Sequence, residues 1–484
     1  MDPDALLAEN QALRAANRVL TEKLEQLSLE LAKIKRQVFG QKSERRRANG
    51  DEPQGSLFPP AEPDPVTEPV APPPAAAPPV PHGRRAASAE PDEVVVSPAP
   101  DACPDCGGSL RTISTSTATR MDWRRGHFFT VNIQRPSCAC DRCRTVHTAP
   151  EPTTFALPRS IVGNGLAAAI VVDKFADNIP LNRQSTRMER EGMDLSTSTL
   201  CDVVRNVGSL LARIVAAMKA EQLAGPVLQA DDTGLPVLDG EAGRAVAGRL
   251  WTYVSDRHVV YDFTSGKHGT GPAAFLLGFH GILLADGGSE FNEAVRRQGL
   301  TRAGCWSHAR RYFVDAHDTS PELADEALDR IGVLFEIERR IAGASRDERR
   351  RVRDLETRAA VDEVRRWLTA RVHGVRPRSP LGQAIQYALN QWAFLTVCVE
   401  HPEIPIHNNQ SELQLRRPVV GRKNWLFAGS EGGARTAATL FSLTGSCRLH
   451  GVDPWAYLHD VLGRINDHPV NRVAELSPAV WAGK

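Results

Sequence analysis

The chain has 484 residues, of which 41% are hydrophobic and 24% charged, and a net charge of +1. That length allows several domains and a large core, and the balanced charge excludes a protein whose partner is dictated by bulk charge alone. Arginine-rich stretches at 339–352 and 413–423 still leave room for a local nucleic-acid surface.

Residues 1–38 are charged throughout, unlike a secretory apolar region. Apolar runs such as Leu166–Val172 are too short to span a bilayer. A soluble, cytoplasmic protein is expected. Nine cysteines, odd in number and partly clustered, favour metal ligation over a disulfide framework.

Residues 1–47 read as a coiled coil. Leu6, Leu13, Leu20, Leu27 and Ile34 recur every seven residues, with Asn10, Asn17, Leu24, Leu31 and Val38 at the companion seam positions. The segment predicts a homodimer; a helix packing back onto its own chain is the alternative. Residues 48–100 are rich in Pro, Ala and acidic groups and predict a disordered linker.

In 101–152, Cys103 and Cys106 form one CxxC knuckle, and Cys140 and Cys143 a second. Thiolates two residues apart converge on one tetrahedral ion, so a structural zinc is expected. Cys138 is a surplus thiol with less suitable spacing. The zinc segment reads equally as a folding clip and as a DNA-binding module carrying Arg120, Arg124, Arg125, Arg135, Arg142 and Arg144.

Residues 153–222 are helical in pattern. One helix carries Leu166, Ile170 and Val171, a second runs near 182–190, and after Gly192 a third is capped by Ser196 or Thr197. Helix, turn and capped helix with arginines nearby suit a DNA reader as well as ordinary packing.

The pattern then changes to strands. Pro226–Ala230 is an apolar run ending at Asp231 and Asp232, and Trp251, Tyr253, Val259, Tyr261 and Phe263 alternate as in half-buried strands. Gly281–Ala285 is another strand, ending at Asp286. Three helices are expected within 317–400, the last holding Leu381, Ile385, Ala388, Trp392 and Leu395 together. A late helix starts near Asn409, places Glu412 in its first turn and is expected to stop at Pro418.

Two carboxylates at strand ends and one on a helix form a hard-oxygen set suited to Mg²⁺ or Mn²⁺. Two such ions, roughly 3.5–4 Å apart, serve phosphodiester chemistry. Around these residues stand Gly287-Gly288-Ser289-Glu290-Phe291, then Cys305-Trp306-Ser307-His308-Ala309-Arg310-Arg311-Tyr312-Phe313, and finally the run Gly421–Ser430, GRKNWLFAGS. Trp425, beside Leu426 and Phe427, reads as core packing, with stacking on a splayed base as the alternative.

Taken together, these motifs resemble the transposases of the insertion sequence 66 family. The resemblance runs through the leucine-zipper start, Phe39-Gly40 with Ser43-Glu44, the CPxCGG knuckle, Ala230-Asp231-Asp232-Thr233, CWxHARRxF and GRKNWLFAGS. It implies a multidomain α+β protein: coiled coil, small zinc-binding domain, helical domain (153–222), and a ribonuclease-H-like α/β catalytic domain. The catalytic domain spans 223–316 and 401–462 with an all-helical insertion at 317–400, and a tail follows at 463–484.

The resemblance further implies metal-dependent cleavage and strand transfer of DNA by Asp231, Asp286 and Glu412, with Asp232 a rival for the first position. His308, Arg310, Arg311, Arg416, Arg422 and Lys423 are the expected DNA contacts. His407 and Leu413 depart from residues common in the family, Asp and Arg, without removing a carboxylate. Element ends, target DNA and accessory proteins are the expected partners. A nuclease without strand transfer and a catalytically inactive, zinc-containing DNA-binding regulator are the rival readings.

Overall fold

A computed structural model of the chain describes residues 155–158, 160–239 and 244–483, two short strands before them, and isolated positions 14, 23 and 128. The two short strands, β1 (Ser137–Ala139) and β2 (Val146–Thr148), pair antiparallel with Cys138 opposite His147. The expected coiled coil, linker and zinc ligands Cys103, Cys106, Cys140 and Cys143 lie outside the described residues.

Helices α1 (Asn164–Phe175), α2 (Leu181–Arg190) and α3 (Thr197–Ala224) follow the sequence pattern closely. Gly192 turns the chain with φ +87°, a conformation glycine adopts without steric cost. The Ser196 hydroxyl caps α3 by accepting the Thr199 N–H at 3.2 Å. At the far end of α3, Gln222 Nε2 donates to the carbonyls of Tyr253 (3.0 Å) and His258 (2.8 Å). Those bonds fix the helix to the strands that follow.

The strands are β3 (Val227–Gly234), β4 (Val237–Asp239), β5 (Arg244–Val246), β6 (Arg249–Val254), β7 (Val259–Thr264), β8 (Ile282–Leu284) and β9 (Thr301–Ala303). Five of them form a mixed sheet in the order β7-β6-β3-β8-β9. The β7-β6-β3 side is antiparallel, and β3-β8-β9 is parallel. Between β7 and β9 run α4 (Thr270–Phe275), a 3-10 turn (Ser289–Phe291) and α5 (Asn292–Gln298). β4 and β5 pair with each other, a hairpin the sequence pattern did not suggest.

The expected half-burial of β6 does not hold: Leu250 through Val254 are all buried. On one face Tyr253 stacks on Phe275 with ring centres 3.6 Å apart, and Trp251 meets Phe291 edge-on. The other face is covered by the late helix α13 (Asn409–Trp425).

β7 is an edge strand, and its outward amides are a hazard for unwanted pairing. Helix α14 (Glu431–Leu449) covers that edge with small residues. Ser446 and Ser442 hydroxyls accept the N–H groups of Val259 (2.9 Å) and Tyr261 (2.8 Å).

The stretch 317–400 is all helix in its regular structure. After α6 (Trp306–Ala316) come α7 (Pro321–Arg340), α8 (Arg346–Val352), a π-helical turn (Arg353–Thr357), α9 (Arg358–Arg371), α10 (Pro380–Asn390), α11 (Trp392–Leu395) and α12 (Val397–Glu400). The single helix expected through Leu395 is thus broken after Asn390. Arg353 is fully buried in the π turn. It forks onto Glu338 (2.8 and 2.6 Å) and donates to the carbonyls of Cys398, His401 and Ile404. One guanidinium therefore closes the end of α12 and the loop that follows it.

The chain ends with α15 (Pro454–Arg464), a 3-10 segment (Val470–Leu476) and α16 (Pro478–Trp481). Residues 463–484, expected as a tail, fold back: Leu476 is buried and its carbonyl accepts the Tyr457 hydroxyl at 2.8 Å. The described part is a mixed α/β structure, helical in majority, around a central mixed sheet. Among the described residues no helix is long and apolar enough to cross a membrane.

Candidate active site

Asp231 lies inside β3 rather than at its end, because β3 continues to Gly234 against β6. It stands where β3 parts from β8: the parallel register ends at Gln229↔Leu284. Continued by two residues, that register sets Asp231 beside Asp286. Neighbouring strands run about 4.8 Å apart with paired side chains on the same face. Successive residues alternate faces, so Asp232 projects from the opposite side of β3.

The loop after β8 is held by a buried arginine that the sequence reading did not single out. Arg302, on β9, donates to the carbonyls of Asp286 and Gly288 (2.9 Å to the latter) and to Asn292 Oδ1 (2.6 Å). The Asp286 side chain accepts the Gly288 N–H at 3.1 Å. The glycine pair there is closely packed. A Cβ on Gly287 meets the Tyr387 ring at 2.8 Å, and one on Gly288 meets Glu290 Oε2 at 2.3 Å and Asp286 Oδ1 at 2.9 Å.

Glu412 arrives on the first turn of α13. Asn408, fully buried just before the helix, donates to the Ala230 carbonyl at 3.4 Å and so ties the helix start to β3 beside Asp231. Pro418 sits inside α13 and does not stop it. The carbonyl that loses its partner to the missing proline N–H is that of Gln414, and it accepts the Tyr261 hydroxyl at 2.7 Å instead. Arg422 and Lys423 therefore ride the last turn of the helix, not a following loop.

Helix α6 supplies the remaining wall. Trp306 is fully buried, its backbone N–H bonded to the Ile406 carbonyl and its indole to the Leu395 carbonyl, both at 2.9 Å. With Trp306 fixed, His308 Nδ1 stands 3.5 Å from Glu412 Oε1, and Arg311 Nη2 stands 3.3 Å from Glu412 Oε2. The first helix turn also brings Cys305 inward. The ligand atoms of Cys305, His308 and Glu412 lie within 4.8 Å of one another, a cluster the sequence reading missed although the Cys-x-x-His spacing was visible.

The electrostatics divide by face. The Asp231 carboxyl is pushed up from 3.8 to about 7, first by burial, and further by Asp286, Glu412 and Asp232, against one backbone hydrogen bond. The charges of Asp286 and Glu412 act on Asp231, but among the described residues the ligand atoms of these three do not all lie within 4.8 Å of one another. Asp232 is also raised by burial, yet it is paired with Arg249 (2.7 Å) and Lys267 (3.5 Å), and Lys267 in turn holds Glu290 at 2.8 Å.

The expected DNA contacts scatter in their surroundings. Arg310 is half-buried and Arg311 exposed on α6. Arg416 is exposed and does not pair with Glu412; among the described residues neither Arg416 nor Lys423 makes an ion pair. Arg422 turns inward to the Thr233 hydroxyl and the Gly234 carbonyl. Trp425 is half-buried under Lys174, but Leu426 and Phe427 are exposed, against the expected core packing, and Leu426 has φ +62°.

Comparison with known proteins is consistent along the chain. The pattern of the Transposase IS66 family matches residues 159–436, and the IS66 C-terminal element matches 442–479. The zinc-finger binding domain of transposase IS66 matches 100–144, and Transposase C of IS166 homeodomain matches 26–93. Among curated relatives, Uncharacterized protein y4hP of Sinorhizobium fredii is 35% identical over 419 residues, 81% of this chain and 75% of that protein. Uncharacterized protein y4jD of the same organism is 31% identical over 410 residues, 80% of each chain.

Proposed function

The chain belongs to the IS66 family of transposases, and from that premise we propose that it cuts and joins DNA at Asp231, Asp286 and Glu412. What supports the reading is that Asp231 is raised to about 7 by burial and by the charges of Asp286 and Glu412, so acids from β3, the β8 loop and α13 act on one another, although their ligand atoms do not all lie within 4.8 Å. The mixed sheet, with one acid on β3, one on the loop just after the parallel neighbour β8 and a third on a crossing helix, supports a ribonuclease-H-like catalytic core with 317–400 inserted in it.

The donor set suits a hard divalent cation, Mg²⁺ or Mn²⁺. Among these residues, Glu412 Oε1 is buried without a hydrogen-bond partner. A bound ion supplies charge neutralisation at the scissile phosphate and activation of the attacking oxygen. The chain's residues do the positioning: Arg302 sets the Asp286 loop, Asn408 sets α13, and His308 and Arg311 orient Glu412.

Arg310, Arg311, Arg416 and Lys423 are the phosphate contacts, and Arg422 braces α13 against β3. A first cut frees a 3′-hydroxyl, which then attacks target DNA in line; positioning and charge neutralisation carry the chemistry, with no protein nucleophile. The amino-terminal heptads pair two chains, and Cys103, Cys106, Cys140 and Cys143 hold structural zinc, in keeping with the zinc-finger match.

The test is incubation of the full chain with element-end DNA and Mg²⁺, wild type against Glu412→Gln. Joined products in the wild type alone support the reading. Cutting without joining points to a nuclease, and no cutting with specific end binding points to a regulator.

A further inference from the structure

Cys305, His308 and Glu412 form a side-chain cluster that the reaction above uses only in part. Cys305 is buried at the start of α6, His308 follows three residues later on the same helix turn, and Glu412 comes from the first turn of α13. The Cys305 thiol is pushed up to about 11 by burial, against which the backbone N–H groups of Asn408, His308 and Ser307 work. His308 Nδ1 and Glu412 Oε1 face each other at 3.5 Å, yet both are shut off from solvent and neither has a hydrogen-bond partner. Two buried polar atoms face one another, in a cluster whose sulfur, imidazole and carboxylate ligand atoms lie within 4.8 Å of one another, and they mark a space that lacks a third atom.

We propose that Cys305, His308 and Glu412 bind a thiophilic divalent cation of the zinc class, at a site chemically distinct from the all-carboxylate set. Sulfur, imidazole nitrogen and one carboxylate oxygen are the ligand types zinc takes, whereas Mg²⁺ avoids thiolate. Tetrahedral ligands at zinc distances sit about 3.5 Å apart, so small side-chain rotations close this cluster on an ion. Binding releases the thiol proton to solvent as the sulfur becomes a thiolate ligand.

Three protein ligands leave a fourth position for water or a phosphate oxygen. An ion bound here commits Glu412 Oε1 to the His308 side and draws it from Asp231 and Asp286. That consequence rests on the proposed transposase reading; the site itself rests on the geometry alone.

The experiment is Co²⁺ titration of the full chain, read by the thiolate-to-cobalt charge-transfer band in the near ultraviolet and by the visible d–d bands. Any Co²⁺ exchange at the zinc knuckles is common to all variants and cancels in difference spectra. Relative to Cys305→Ser, the wild type shows one additional thiolate band. His308→Ala, a change at a partly exposed side chain, weakens Co²⁺ binding by at least about tenfold, while Asp286→Asn leaves the thiolate band in place.

Identical spectra for wild type and Cys305→Ser overturn the proposal. So does unchanged affinity in His308→Ala, which keeps the test decisive should Cys305→Ser fail to fold. The readout needs no DNA and no turnover, so its failure is separable from failure of the transposase reading.

Discussion

Asp231 and Asp232 are consecutive on one strand, yet they stand in opposite electrostatic regions. On the Asp232 side, two carboxylates (Asp232 and Glu290) meet two cations (Arg249 and Lys267), and the charges balance. On the Asp231 side, three carboxylates meet the buried Arg302, which holds the Asp286 backbone, the exposed Arg311 and a histidine, and the acids still outnumber the guanidinium groups. A balanced cluster stabilises structure. An unbalanced, buried one costs folding energy and is kept where a cation or a reacting group completes it.

The largest effect that tests this difference is catalytic. Asp231→Asn is expected to lower DNA cleavage on the order of 10³-fold or more, while Asp232→Asn retains activity within about tenfold. Asp231→Asn folds at least as stably as the wild type in chelator at neutral pH. Asp232→Asn is expected to stay within about 1 kcal/mol of wild type, because burial already disfavours its charge and its partners Arg249 and Lys267 are partly exposed. Comparable loss of activity in both variants breaks the comparison.

Next in size is the scaffold. Arg302→Met removes the donor that fixes the carbonyls of Asp286 and Gly288, leaving buried acceptors unmet at about 1–3 kcal/mol. Urea unfolding measures the loss, and cleavage should fall with it because Asp286 is released. Gly288→Ala bridges the two regions, since its Cβ meets the carboxylate ends of both Glu290 and Asp286; these can swing aside, so a stability cost of less than about 1 kcal/mol is expected, with the Mg²⁺ dependence of cleavage shifted to higher concentration.

The smallest effect is a pH profile. The Asp231 carboxyl, raised from 3.8 to about 7, favours the folded state in its protonated form. That contribution is fully present below the unfolded value and is lost as pH rises through about 7. Stabilisation by Mg²⁺ in thermal melts should therefore be larger at about pH 8 than at about pH 5. Asp231→Asn should flatten the difference, and a profile equally steep in the variant contradicts the assignment.

Much of this was legible in the residue order. Helix periodicity located α1, α3, α7 and α9, and the Ser196 cap followed from its position before an apolar face. Motif neighbours singled out Asp231, Asp286 and Glu412, and the charges of the last two act on Asp231.

What the sequence hid depends on distant partners. Pro418 breaks helices in general, and only the Tyr261 hydroxyl makes it tolerable here. Arg302 looks like any strand arginine until the loop carbonyls it holds are known. The burial of β6 on both faces required α13 to lie across the sheet, which no period-two pattern encodes. The exposure of Leu426 and Phe427 follows from where α13 ends against β4, with Ala428 bridging to Val237.

The most direct measurement is Mn²⁺ binding to the full chain, followed by loss of the free-ion electron paramagnetic resonance signal. Wild type and Asp232→Asn should take up Mn²⁺ equally, while Asp231→Asn, Asp286→Asn and Glu412→Gln should each weaken uptake. Equal weakening in Asp232→Asn, or undiminished uptake in the other three, would contradict the account.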